Sequence, residues 1–152
     1  MDDDADVPAA LRDAGSILER SVRDEREAVD LRIRYESEPM QPLVADPSVI
    51  EMLETGEELF AVREPAILNA SDPDQSRSLP GYGGTLYLTS TRLVHRGQVV
   101  LSVAVRDIVD TVVVGERLLL MLHGGEGLSV DIDRPRVFRV QLSAIRQAAA
   151  RP

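Results

Sequence analysis

From Pro8 to about Tyr35, apolar side chains recur at Leu11, Leu18, Val22, Val29 and Ile33, while Arg20, Arg23, Asp24, Arg26, Glu27 and Asp30 take the other faces. Steps near three, four and seven predict one amphipathic helix. Its apolar stripe is narrow: Gly15 weakens the first turns, and Glu25 falls on the stripe between Val22 and Val29. Such a helix needs a partner surface to be stable. Leu18, Val22 and Val29 are therefore the candidate partner-binding residues, and the surface they meet is the chain's own domain, a second copy, or another protein.

A break follows at Glu38 to Pro42, where two prolines end helical structure and favour extended backbone before each. It divides an N-terminal extension, residues 1–40, from a domain over residues 41–152. Asp46 then reads as an N-cap with Pro47 at the first position of a short helix through Leu53. Beyond Gly56 the period changes to two. Glu57 to about Asn69 forms a first strand in which Pro65 implies a bend or an edge position. Residues 70–83, rich in Ser, Asp, Pro and Gly, form a long surface loop.

Six further strands follow, at Thr85 to Thr89, Thr91 to Arg96, Val99 to Val105, Ile108 to Val114, Leu118 to His123 and Leu128 to Ile132. Short strands separated by regular turns indicate a meander that closes or nearly closes on itself. The last element is a helix with Pro135 in its first turn, capped by Asp133 or Arg134, with Phe138, Leu142, Ile145 and Ala149 along one face. That face must be buried, and the open end of a small barrel is the place for it.

The run Gly84 to Gly97, GTLYLTSTRLVHRG, preceded by Leu53 to Leu59 (LETGEEL) and followed by Ile108 at a strand start, resembles the bacterial PH-like and GRAM-like domains. The shared pattern is a Gly-Glu before strand one, then Gly-x-Leu-x-Leu-Thr-x-x-Arg-Leu in the second hairpin. The resemblance covers roughly Asp46 to Ala149. It implies an α+β, mainly β fold: a seven-stranded, strongly bent antiparallel barrel capped by a C-terminal helix and used for binding, not catalysis. Lipid binders, peptide binders and scaffold modules share that fold, so it does not choose among them.

Composition narrows the chemistry. The 152 residues contain no cysteine, which excludes disulfides, thiol nucleophiles and cysteine-ligated zinc. Aromatic residues make up only 3%, so Leu, Val and Ile must build the core. All 17 basic residues are arginine, and the formal net charge is −9, carried entirely by residues 1–56. A net-negative chain without a basic tract is a poor ligand for nucleic acid, because phosphate affinity depends on neutralising cations. The four aspartates within Met1 to Asp6 read as a disordered, solvated tail, extending over residues 1–7. An acidic start with no long apolar run suggests a cytoplasmic chain.

Other chemistries lack their patterns. His95 and His123, the two histidines, lie near predicted strand ends and have no converging ligands, so no metal is expected. Both glycine runs, Gly81 to Gly84 and Gly124 to Gly127, lead into strands, whereas a phosphate-binding loop must open a helix. No nucleophile elbow is present, and Asp131 and Asp133 share a solvent face of the last strand. No catalytic residue, cofactor or small-molecule substrate is assigned.

The expected function is a non-catalytic interaction module that binds protein partners through its barrel groove, with the N-terminal helix mediating self-association or docking. The alternative is weak peripheral binding of anionic phospholipid at a membrane surface, through Arg92, Arg96 and Arg106. A phosphoinositide-type site would need several cations in the first hairpin loop, where only Arg77 stands.

Overall fold

Alternating strands Leu59–Ser71 (β1), Tyr82–Thr89 (β2), Arg92–Gly97 (β3), Val100–Ala104 (β4), Ile108–Val114 (β5), Arg117–Leu122 (β6) and Gly127–Asp131 (β7) join one antiparallel sheet. Helices Ala9–Tyr35 (α1) and Pro47–Met52 (α2) precede it, and Pro135–Ala150 (α3) follows it. The computed structural model describes residues 9–71 and 81–150. The acidic tail, most of the first hairpin loop with Arg77, and the side chain of Leu11 lie outside the described residues.

The sheet order is β4-β3-β2-β1-β7-β6-β5, so β1 is the central strand and β4 and β5 are the two free edges. β1 pairs with β2 from Leu59 to Leu68 and with β7 from Ile67 to Ser71. Its register shifts between Arg63 and Ala66, across Pro65. Proline has no N–H to give the ladder, so the expected bend falls there, in the centre of the sheet and not at an edge.

That bend lets the two halves of the sheet close on each other. Leu86, Leu88 and Leu93 from one half meet Leu118, Leu120 and Val130 from the other in a single core, completed by Phe138, Leu142 and Ile145 of α3. α3 lies against the 3-10 turn Val105–Asp107, β5, β6 and β1, covering the opening between the free edges. The seven antiparallel strands and the closing helix of the expected PH-like architecture are thus present.

Several details differ from the sequence reading. β1 runs on to Ser71 because it pairs with β7 as far as Gly127, and β2 starts at Tyr82 because its pairing with β1 reaches Leu68. The fourth strand stops at Ala104, since Val105 turns inward to complete the core. Ala149 lies beyond the sheet and is exposed. His95, expected near a strand end, is buried within β3, paired with Leu86 and Leu101. Its Nε2 lies 2.9 Å from the Ala66 carbonyl oxygen, which can only accept, so Nε2 carries the proton.

Candidate interaction surface

The hairpin motif is built as a clasp. Glu57, buried just before β1, receives on Oε2 the hydroxyls of Thr89 at 2.6 Å and Thr91 at 2.8 Å, and Arg92 Nε at 2.8 Å. Its Oε1 takes Arg92 Nη2 at 2.6 Å and the Glu54 backbone N–H at 3.0 Å. Arg92 thus engages the carboxylate bidentately, the strongest ion-pair geometry proteins use. The guanidinium, seconded by the hydroxyls and the Glu54 N–H, holds the carboxyl at about 2 despite burial that opposes ionisation. Arg92 also donates to the Met52 carbonyl at 3.0 Å, tying α2 to the hairpin.

The positions that define the motif therefore have packing roles. Leu86, Leu88 and Leu93 are core, and the Thr89 hydroxyl accepts the turn N–H groups of Thr91 and Arg92. Gly84 pairs with Gly97 across β2 and β3. A Cβ on Gly84 would strike the Arg96 carbonyl, and one on Gly97 the Gly83 carbonyl, so the two backbones approach too closely for any side chain.

The three arginines of the lipid alternative have different surroundings. Arg92 is committed to Glu57. Arg96 lies 5.9 Å from the centroid of the Tyr87 ring and reaches the Ser48 carbonyl at 3.3 Å. Arg106 is exposed on the 3-10 turn. The bidentate pair removes Arg92 as a free cation.

The arm is organised around a residue that sequence patterning missed. Asp24 sits within the charged positions of α1, yet it is 3% exposed. Its Oδ2 accepts the Arg136 backbone N–H at 2.8 Å, and its Oδ1 accepts that of Val137 at 3.1 Å. These are the orphan donors at the start of α3, so α1 supplies from a distance, as a carboxylate, the cap expected from Asp133 or Arg134. Arg134 occupies the N-cap position with φ 50°, and its carbonyl receives the Phe138 N–H at 3.1 Å, while the side-chain cap comes from Asp24. The Arg136 guanidinium adds a 3.4 Å ion pair to Asp24.

Below that cap, Ala28 packs with Val137 and Val140, flanked by Leu31 and Tyr35. Positions 24, 28, 31 and 35 share one face of the helix, but an aspartate and an alanine in that row hide it from any search for apolar periodicity. Burial drives the Tyr35 hydroxyl above its ordinary value. Arg63 braces the junction from beneath: buried near Phe138, it donates to the Asp133 carbonyl at 3.0 Å, and burial lowers its guanidinium to about 10.

Because that row faces α3, the apolar stripe faces outward. Leu18 is 65% exposed, Val22 52%, Val29 40% and Ile33 59%. Arg20 and Glu116 join at 2.8 Å along the flank, and Glu25 approaches Arg136 to 3.5 Å beside a shallow depression that includes Val22 and Val29. The structure brings the three predicted partner-binding residues together on one solvent face. Their stripe is not what docks the helix to its own barrel.

Among the described residues there is no group of three or more His, Cys, Asp or Glu placed to hold a metal ion, and no helix long and apolar enough to cross a membrane. Among the described residues, one void of about 10 Å³ lies in the core between Leu93, His95 and Leu120, and it is too small for an organic ligand.

No family model and no curated protein matches the chain, so the narrower GRAM-like resemblance gains no support from either. Among solved structures, it is similar to the C-terminal domain of an unknown protein from Leishmania infantum, at 13% identity over 64% of this chain and 91% of that one, with a TM-score of 0.47. It is also similar to the pleckstrin homology (PH) domain of USP37, at 17% identity over 57% of this chain and 96% of that one, TM-score 0.42. A third likeness is to the Dm DCP1 EVH1 domain in complex with the XRN1 DBM peptide, at 9% identity over 76% and 100%, TM-score 0.48. Likenesses this distant assign no activity or ligand.

Proposed function

We propose that this protein is a non-catalytic interaction module whose partner contact centres on the outward face of α1, with the edge strands β4 and β5 of its barrel as a second surface for protein partners. The observation that carries the reading is the solvent-facing row of Leu18, Val22, Val29 and Ile33 on a helix already held to α3 by its opposite face. A marginal helix that merely needed its own barrel would turn its most apolar row inward. Here the inward row is Asp24, Ala28, Leu31 and Tyr35. Contiguous exposed apolar rows mark interaction sites. Free strand edges add a second mode, since an extended peptide can join them as a strand.

The test compares the wild-type chain with Val22→Asp/Val29→Asp in capture of protein partners, after circular dichroism has shown the same fold. Partners retained by the wild type and lost from the variant support the helix face. Identical capture by both overturns it.

Anionic lipid binding is the second reading, but the bidentate Glu57–Arg92 pair argues against it. Co-sedimentation with anionic vesicles at low salt separates the two, because screening is weakest there.

A further inference from the structure

We propose that a second copy of this chain covers the outward face of α1, the two helices packing antiparallel about a two-fold axis that passes between Glu25 and Arg26. The inference rests on the helix-face reading above and deepens it by naming the occupant.

At 100° per residue, Leu18, Val22, Val29 and Ile33 fall within about 60° of one another on the helix. Along the chain they are mirrored: Val22 and Val29 stand equally far from the Glu25–Arg26 bond, and so do Leu18 and Ile33. Two copies related by a two-fold axis at that bond set Val22 of each level with Val29 of the other, and Leu18 level with Ile33. Every exposed apolar residue of the row then meets an apolar counterpart, twice over. Self-complementarity of this kind is the requirement of an isologous interface, and an unrelated partner imposes no mirror on the sequence.

Charge agrees with position. Residues 17–35 hold five acidic side chains and five arginines, so the helix is neutral although residues 1–56 sum to −9. Two such helices approach without net repulsion. At the axis itself, Glu25 and Arg26 from both copies gather two carboxylates and two guanidiniums. The apolar positions Glu25 interrupts therefore coincide with a local charge balance, which explains an acidic residue on the stripe.

The docking of α1 also fixes the geometry. Asp24 and Ala28 hold the opposite face against α3, so the row cannot rotate inward without uncapping α3. From Leu18 to Ile33 the contact is about 22 Å long at 1.5 Å per residue. A helix pair of that length sits at the small end of specific interfaces, so the dimer forms reversibly with concentration.

The chain has no cysteine, so Leu18→Cys and Ile33→Cys each introduce a sole thiol at an exposed position. Full-length copies carrying different tags are mixed and treated with a short bismaleimide, and wild type is followed by sedimentation equilibrium. The expected result is a concentration-dependent dimer and a cross-link between the two variants at least tenfold more abundant than either variant's link to itself. Self-linked products equal to or exceeding the mixed one overturn the antiparallel arrangement. A monomer at all concentrations overturns the second copy as occupant. In that event, loss of partner capture on Val22→Asp/Val29→Asp still upholds the helix face, whereas unchanged capture removes both.

Discussion

The β2–β3 hairpin and the α1 arm are opposite solutions to the same problem of placing charge and apolar surface. In the hairpin, the carboxylate and the leucines find their partners within the chain: Arg92 and three further donors saturate Glu57, the leucines enter the core, and the glycines lie where two backbones meet closely. In the arm, the polar Asp24 is buried and the best apolar residues stay in water. The lesson is that the most recognisable segment of the chain is spent on its fold. The segment outside the family resemblance holds the unsatisfied surface.

The comparison breaks most sharply at the clasp. Glu57→Ala leaves Arg92 without its partner in a largely dry site, and loss of one member of such a pair costs roughly 3–5 kcal/mol. Chemical denaturation should show that loss, with both halves of the sheet melting together. If Glu57→Ala changes stability by less than about 1 kcal/mol, the motif is not a clasp.

A slightly smaller effect is expected at the glycine crossing. Gly84→Ala or Gly97→Ala forces a methyl group into a strand backbone, which costs about 1–3 kcal/mol in strain and displacement. Thermal melts of each variant test it, and an unchanged melting temperature would mean that β2 and β3 are farther apart than described here.

Acid provides an independent probe of the same site. The Glu57 carboxyl is held at about 2, below its ordinary value of 4.5, so between those values the unfolded chain binds the extra proton. Stability from this group is therefore present above about 4.5 and is lost as the pH falls towards 2. Glu57→Gln should flatten that part of the stability profile. A profile with the same acid slope in both proteins would assign the slope to other carboxylates.

At the arm the effects are smaller and local. Asp24→Ala removes the cap of α3 and the anchor of α1, a loss of about 1–2 kcal/mol. Hydrogen exchange should speed up in α1 and the first turn of α3 while β2 and β3 keep their protection. Equal acceleration throughout would show that the arm and the barrel are one cooperative unit.

The division between the two regions also explains what could be read from the residues. Strand periodicity, the two prolines of the break and the row of Phe138, Leu142 and Ile145 each follow from local spacing, and each corresponds to an observed feature. The capping of α3 by Asp24 could not be read that way, because donor and acceptor are more than a hundred residues apart. Nor does strand period reveal burial of a polar side chain, so the 2% exposure of His95 and its bond to Ala66 do not follow from its place near a predicted strand end. The candidate site was legible as a stripe, but the direction it faces was not. That depended on a weaker row of Asp24, Ala28, Leu31 and Tyr35 winning the contact with α3 through two backbone N–H groups.

The central claim, that the hairpin serves the fold while the outward face of α1 serves association, is tested most directly by sedimentation velocity across a concentration series. The samples are full-length wild type and Val22→Asp/Val29→Asp, whose exposed positions should alter stability by no more than about 0.5 kcal/mol each. The account predicts a sedimentation coefficient that rises with concentration for the wild type and stays at the monomer value for the variant, with equal melting temperatures. Superimposable curves for the two proteins would contradict it.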